Sequence, residues 1–173
     1  MCRNQLVELQ QVYSDITRLG AEVLALSVDD ASDAATMRAE FRFEFPILYD
    51  TDTSVTRDWG LYNLLGDGVS APATFVIRPD GSIESALIGT NIGERPTTDS
   101  ILEVLESLAD TDGASMGEGP DTAEGQPDMP AAIPTAGEPV PDFDLPTARG
   151  ESVSISEFRG EKDIVLVFFR AWW

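Results

Sequence analysis

The sequence predicts an α/β fold around a central mixed sheet, and three observations carry the prediction. Residues 21–28 and 164–169 are short apolar runs rich in β-formers, without the polar alternation of a half-exposed strand. Residues 73–78 and 82–88 are β-forming runs flanking Pro79-Asp80-Gly81, whose residue types suit a tight turn, so a β-hairpin is expected. Leu6, Leu9, Tyr13, Ile16 and Leu19 recur at steps of three and four, the spacing of one helical face. With 173 residues, 42 % of them hydrophobic, the chain can bury the core of one ordinary domain.

The first helix is expected over residues 2–19, with Gly20 ending it. Residues 21–28 read as a buried parallel strand, with Asp29-Asp30 marking its carboxyl end. Ser32 and Asp33 are expected to cap a helix reaching about Phe43, and residues 45–50 a short extended piece after it. A further helix is expected over residues 54–61, before the hairpin. Ile101, Leu102, Leu105 and Leu108 form one face of a helix over 97–108, with Thr98 and Asp99 as its caps. Residues 109–137 carry Gly, Pro, Asp, Glu, Ala and Thr without one aromatic residue, and read as a linker that cannot offset its ordering entropy. After it, the continuous apolar run 164–169 belongs at the centre of a covered sheet.

Composition narrows the function. With 11 basic and 31 acidic residues the formal charge is −20, and Lys162 is the single lysine, so neither nucleic acid nor an anionic membrane is an expected partner. No apolar run approaches a bilayer span and nothing at the start directs secretion, so a cytoplasmic location is expected. The absence of His removes the Ser-His-Asp and Cys-His pairs. Cys2 is the only cysteine, so no internal disulfide and no cysteine metal cluster can form. Carboxylate metal binding has only the pairs Asp29-Asp30 and Asp110/Asp112 behind it, and solvated loops explain these better.

Three stretches together resemble redoxins of the alkyl hydroperoxide reductase/thiol-specific antioxidant group. The first is the tail, with Pro141-Asp142-Phe143-Asp144-Leu145, the segment Ser154-Ile155-Ser156-Glu157-Phe158-Arg159-Gly160, and a strand leading into Arg170-Ala171-Trp172-Trp173. The second is Cys2-Arg3-Asn4-Gln5-Leu6, similar to the helix that follows the family's Trp-Cys-Pro-x-Cys loop. The third, Ala71-Pro72-Ala73-Thr74-Phe75 with Pro79-Asp80-Gly81, resembles the family's cis-proline strand and hairpin. The resemblance implies a thioredoxin-like three-layer fold with a central mixed sheet, circularly permuted at the active-site loop. Residues 1–108 would be the carboxyl-terminal portion of a redoxin domain, 109–137 an acidic linker, and 138–173 the amino-terminal portion.

A thiolate at a helix amino terminus is stabilised by unpaired backbone N–H groups and the helix dipole, which lowers its pKa; Cys2 sits at such a start. An inert small thiol at a frayed terminus is the plain alternative. The resemblance places Cys2 as the resolving thiol, paired with an attacking thiol or selenocysteine that falls in a two-residue gap between Trp173 and Met1. It also implies a cis Pro72 beside the redox pair, Ala71 backbone groups for an extended thiol substrate, and Trp172 and Trp173 lining the loop. Packing is the alternative for both tryptophans. Arg170 could stabilise an anionic sulfur or a peroxide, although an exposed arginine at a strand end is the commoner case.

The activity implied is thiol-dependent peroxide reduction or thiol-disulfide exchange, with no bound cofactor. An external thiol reductant such as a thioredoxin-type protein is expected, and a domain-swapped homodimer is one way to assemble the halves. A catalytically inactive redoxin-fold binding module is the competing reading. The order of the parts suits a circular permutant, a fragment of a tandem-redoxin protein, or a selenocysteine codon read as a stop after Trp173.

Overall fold

A computed structural model describes residues 2–91, 93–111 and 133–170. Along the chain these form α1 (Cys2–Arg18), β1 (Ala21–Ser27), α2 (Ala31–Phe41), β2 (Ile47–Tyr49), α3 (Ser54–Asp58), β3 (Ala73–Ile77), β4 (Ile83–Ile88), α4 (Thr98–Thr111), β5 (Asp144–Pro146), β6 (Ser152–Ser154), a 3₁₀ turn (Ile155–Phe158) and β7 (Asp163–Phe168).

Five strands make one sheet in the order β2-β1-β7-β3-β4, and β5 pairs with β6 in a separate ribbon. β1 runs parallel to β2 and β7, while β3 runs antiparallel to β7 and β4, so the sheet is mixed. The last strand in sequence takes the central place, as its unbroken apolar run requires: all six of its residues are buried.

Period-two alternation divides the core between the two faces of the sheet. Val23 and Ala25 of β1 and Val165 and Val167 of β7 pack with Leu6, Leu9 and Ile16 of α1, Met37 of α2, and Ile101, Leu105 and Leu108 of α4. Leu24, Leu26, Ile164, Leu166 and Phe168 face Val55 of α3, Trp59, Leu61, and Phe143, Leu145 and Ile155 from the ribbon region. Three layers result.

The boundaries differ from expectation where side chains compete with the helix. Asp30, not Ser32 or Asp33, caps α2: its Oδ1 accepts from the amides of both, at 2.8 and 3.0 Å. A cap must stand outside the helix in extended geometry, and Ser32 and Asp33 are already inside. α2 stops at Phe41 because Arg42 turns left-handed (φ 56°), which lets Phe43 enter the core. α3 stops at Asp58 rather than at residue 61, since Gly60 (φ 66°) reverses the chain and Thr56 O takes the amides of both Leu61 and Tyr62. At α4 the hydroxyl of Thr97 accepts from the Ser100 amide at 3.2 Å, in place of the caps expected at Thr98 and Asp99.

α4 continues to Thr111, three residues into the stretch read as linker. At the far end of that stretch, Gly137 N donates to Ile83 O (2.8 Å) and Ile83 N to Glu138 O (2.9 Å), which ties residues 137–138 along β4. Residues 112–132 of the expected linker lie outside the described residues. Among the described residues no helix is long and apolar enough to cross a membrane.

One polar contact clamps α1 to β1: the Tyr13 hydroxyl donates to Glu22 Oε1 at 2.6 Å. Burial, then that bond, pushes the Tyr13 phenol well above its ordinary range. A group whose pKa folding raises contributes stability below its unfolded pKa, and the contribution is lost as pH climbs past the ordinary tyrosine value of about 10. Urea unfolding followed from about pH 9 to 11 is therefore expected to show the native midpoint falling more steeply than that of Tyr13→Phe.

Candidate functional site

Strand register brings three distant segments to one edge of the sheet. Phe168, the last residue of β7, pairs with Ala73, the first of β3, and with Leu26 near the end of β1. Phe169 N then donates to Leu26 O at 2.9 Å. Continuing the antiparallel register past Phe168 sets Phe169 level with Pro72 and Arg170 level with Ala71. The first turn of α1 arrives at the same edge, where the buried Gln5 Nε2 donates to Thr74 Oγ1 at 3.2 Å. Thr74 in turn pairs with Val167. The first turn of α1 is thus tied to β3 two residues from Pro72, where β3 pairs with the end of the central strand.

Pro72 is fully inside this edge, and its expected cis geometry is corrected: none of the described peptide bonds is cis. The trans bond leaves both flanking backbone groups paired. Ala71 N donates to Leu61 O (2.9 Å), and Pro72 O accepts from Gly89 N (2.8 Å), so the local sheet geometry favours the ordinary isomer. Of the Ala71 backbone groups that the resemblance offers to a substrate, the amide donates to Leu61 O. Gly89 allows this close approach, because a Cβ there would lie 2.8 Å from Pro72 Cγ and 2.8 Å from Glu94 O. Glu94 closes the adjoining loop, accepting from the hydroxyl of Thr90 (2.7 Å) and its amide (2.9 Å). These bonds hold its carboxyl below the usual carboxylate range.

Arg170 is not the solvent-exposed residue that its strand-end position suggests. Its side chain is 20 % exposed, and Nη2 is ion-paired with Asp67. Of the other expected site residues, Trp172 and Trp173 lie outside the described residues, as does the side chain of Cys2; the Cys2 backbone is the first residue of α1. A thiol at that place has the unpaired N–H groups of a 17-residue helix beside it.

Sequence reasoning missed Gln5, Thr74 and Asp67. Gln5 is a polar residue among the apolar positions of α1, one turn after Cys2, which marks it as facing something polar. Asp67 stands between Gly66 and Gly68, a turn signal that says nothing about a partner 103 positions away in the chain. Asp30 of the acidic pair Asp29-Asp30 serves as a helix cap, and Asp112 lies outside the described residues. Among the described residues, no three His, Cys, Asp or Glu side chains gather to hold a metal.

The AhpC/TSA family model matches residues 1–86. The chloroplastic peroxiredoxin Q of Suaeda salsa is 24 % identical over 107 residues, which cover 62 % of this chain and 50 % of that protein. A peroxiredoxin of Ignicoccus hospitalis is 28 % identical over 123 residues, covering 65 % and 50 %. The chain spans about half the length of these curated relatives. The crystal structure of Enterococcus faecalis AhpC superposes with a TM-score of 0.57 at 22 % identity, over 69 % of this chain and 72 % of that one.

Proposed function

This chain is a peroxiredoxin-like redoxin with a thioredoxin-like α/β fold, and from that premise we propose that it supports thiol-dependent reduction of peroxides. The observation that carries the reading is the Gln5–Thr74 bond, which ties the first turn of α1 to β3 where β3 pairs with the end of β7. Cys2 serves as the resolving thiol, and the attacking thiol or selenol is not one of the chain's 173 residues. The attacking thiolate bonds to one peroxide oxygen, the O–O bond breaks, and the second oxygen leaves as alkoxide or hydroxide, which takes a proton from solvent. Sulfur loses two electrons and becomes a sulfenic acid. Cys2 displaces its hydroxyl as water and forms a disulfide, which an external dithiol reductant, such as a thioredoxin-type protein, reduces. The central place of β7, the last strand in sequence, supports a permuted order of redoxin elements.

The test is peroxide consumption by the folded chain with a dithiol reductant, compared with Cys2→Ser and with a version carrying Cys-Pro restored before Met1. Turnover that appears only in the restored protein, and is lost again with Cys2→Ser, is the expected result. Cys2-dependent turnover in the chain itself makes Cys2 the attacking group. Absence of turnover in every version favours the second reading, a redoxin-fold binding module, which the single cysteine supports.

A further inference from the structure

Two polar side chains stand where apolar ones would pack. Gln5 is 6 % exposed and lies one turn before Leu9 on the buried side of α1. Thr74 is 5 % exposed and lies two residues before Val76, on the face of β3 that turns toward α1. It is held from both sides, by Val167 of β7 and Leu87 of β4. Gln5 Nε2 donates to Thr74 Oγ1 at 3.2 Å, across 69 positions of sequence. Exchanging both partners of such a bond for apolar groups of the same shape is close to neutral for stability, whereas exchanging one leaves the other buried and unpaired. Stability alone therefore gives no reason for the pair. What a hydrogen bond adds over an apolar contact is a fixed length and direction.

The start of α1 is where such a tie has an effect. The first turn of a helix has N–H groups without intrahelical partners, and helix ends are the first parts to fray. The first turn of α1 contains no acidic residue to engage those groups. Gln5 belongs to the same turn as Cys2, and its bond fastens that turn to a residue fixed in the middle of the sheet.

We infer that Gln5 and Thr74 are positioning residues for Cys2: their bond keeps the first turn of α1 wound, so that its unpaired N–H groups stay gathered at the amino terminus and favour the Cys2 thiolate. The inference rests on the peroxidase reading above for the use made of that thiolate, and it adds no step to the reaction. An unwound turn disperses the same N–H groups into water, and the thiolate fraction at neutral pH falls.

Cys2, the only cysteine, reports on the turn directly. Its rate of alkylation by iodoacetamide rises with the thiolate fraction and is followed from about pH 6 to 10, spanning the ordinary thiol range. Gln5→Met combined with Thr74→Val removes both halves of the bond and nearly keeps the shapes. That double variant is expected to keep the parent's urea midpoint, yet to react about 2- to 5-fold more slowly at neutral pH, with its profile moved to higher pH, the scale of one helix-terminus interaction. Each single variant should slow Cys2 by the same factor and the double variant no further, because all three break one bond. Thr74→Ser keeps the hydroxyl and should keep the parent profile. A parent-like profile in the folded double variant overturns the inference. So does an equal slowing by Thr74→Ser, which would trace the effect to packing. Should a single variant not fold, judged by near-UV circular dichroism, the double variant and Thr74→Ser decide the matter, since neither leaves a buried donor without its acceptor. Expected shifts without turnover in the Cys-Pro-restored protein would sink the peroxidase reading and leave the positioning role standing, whereas turnover with unshifted profiles would do the reverse.

Discussion

Trp59→Ala is expected to destabilise the fold by about 3–5 kcal/mol, the scale of deleting a buried tryptophan without collapse of the cavity. Trp59 is fully buried, with ring centroids 4.9 Å from Phe75 and 5.2 Å from Phe168. Phe75 and Phe168 also meet edge to face at 5.9 Å, so the three rings form one closed cluster across β3, β7 and the end of α3. Phe168 is the last residue of the central strand, and a cavity beside it loosens the segment that leads to Arg170. Urea unfolding measures the loss; a change under 1.5 kcal/mol would mean that neighbouring side chains refill the space. Among the described residues the buried Trp59 indole N–H has no acceptor, an uncompensated cost in the native state. Trp59→Phe removes that cost with part of the ring and should therefore be much milder.

Asp50→Ala carries the second large effect. Asp50 is 1 % exposed and accepts the Thr56 hydroxyl at 2.6 Å, the Thr56 amide at 2.7 Å and the Val55 amide at 3.3 Å. It does the capping work for α3, because Thr53, the residue before that helix, sits in left-handed geometry (φ 63°) and makes no side-chain cap bond. Alanine leaves those donors buried without an acceptor, at about 1–3 kcal/mol each and not additively, so a total loss of about 2–4 kcal/mol is expected. Asp50→Asn retains one acceptor oxygen and should lose less. Equal losses for both variants, by the same unfolding measurement, would show that charge rather than hydrogen bonding holds α3.

The elements whose own residues dictate them were legible in the sequence. The apolar runs of β1 and β7 announced buried strands, Pro79-Asp80-Gly81 announced the hairpin, and the three-and-four spacing of α1 and α4 announced their inward faces. The missed details share one cause: each depends on a contact distant in the chain or on competition for a backbone group. Asp30 outcompeted Ser32 and Asp33 as cap because only the residue outside the helix has the extended geometry for it. Pro72 is trans in an edge completed by the Ala71 amide bonding Leu61 and by its own carbonyl accepting from Gly89, partners that no local pattern around residue 72 names.

The same division separates the candidate site from its surroundings. Local chemistry alone singled out Cys2 as a thiol at a helix start and Arg170 as a cation at a strand end, because helix periodicity and strand patterning are written in neighbouring residues. The sequence by itself determined the α/β class, the burial of β7, the excess of acidic charge and the presence of a single thiol. Only the tertiary structure decided that Gln5 joins Thr74 and that Asp67 grips Arg170. Those pairings follow from strand order and register, which are settled by burying two apolar faces at once and so depend on the whole chain rather than on any stretch of it.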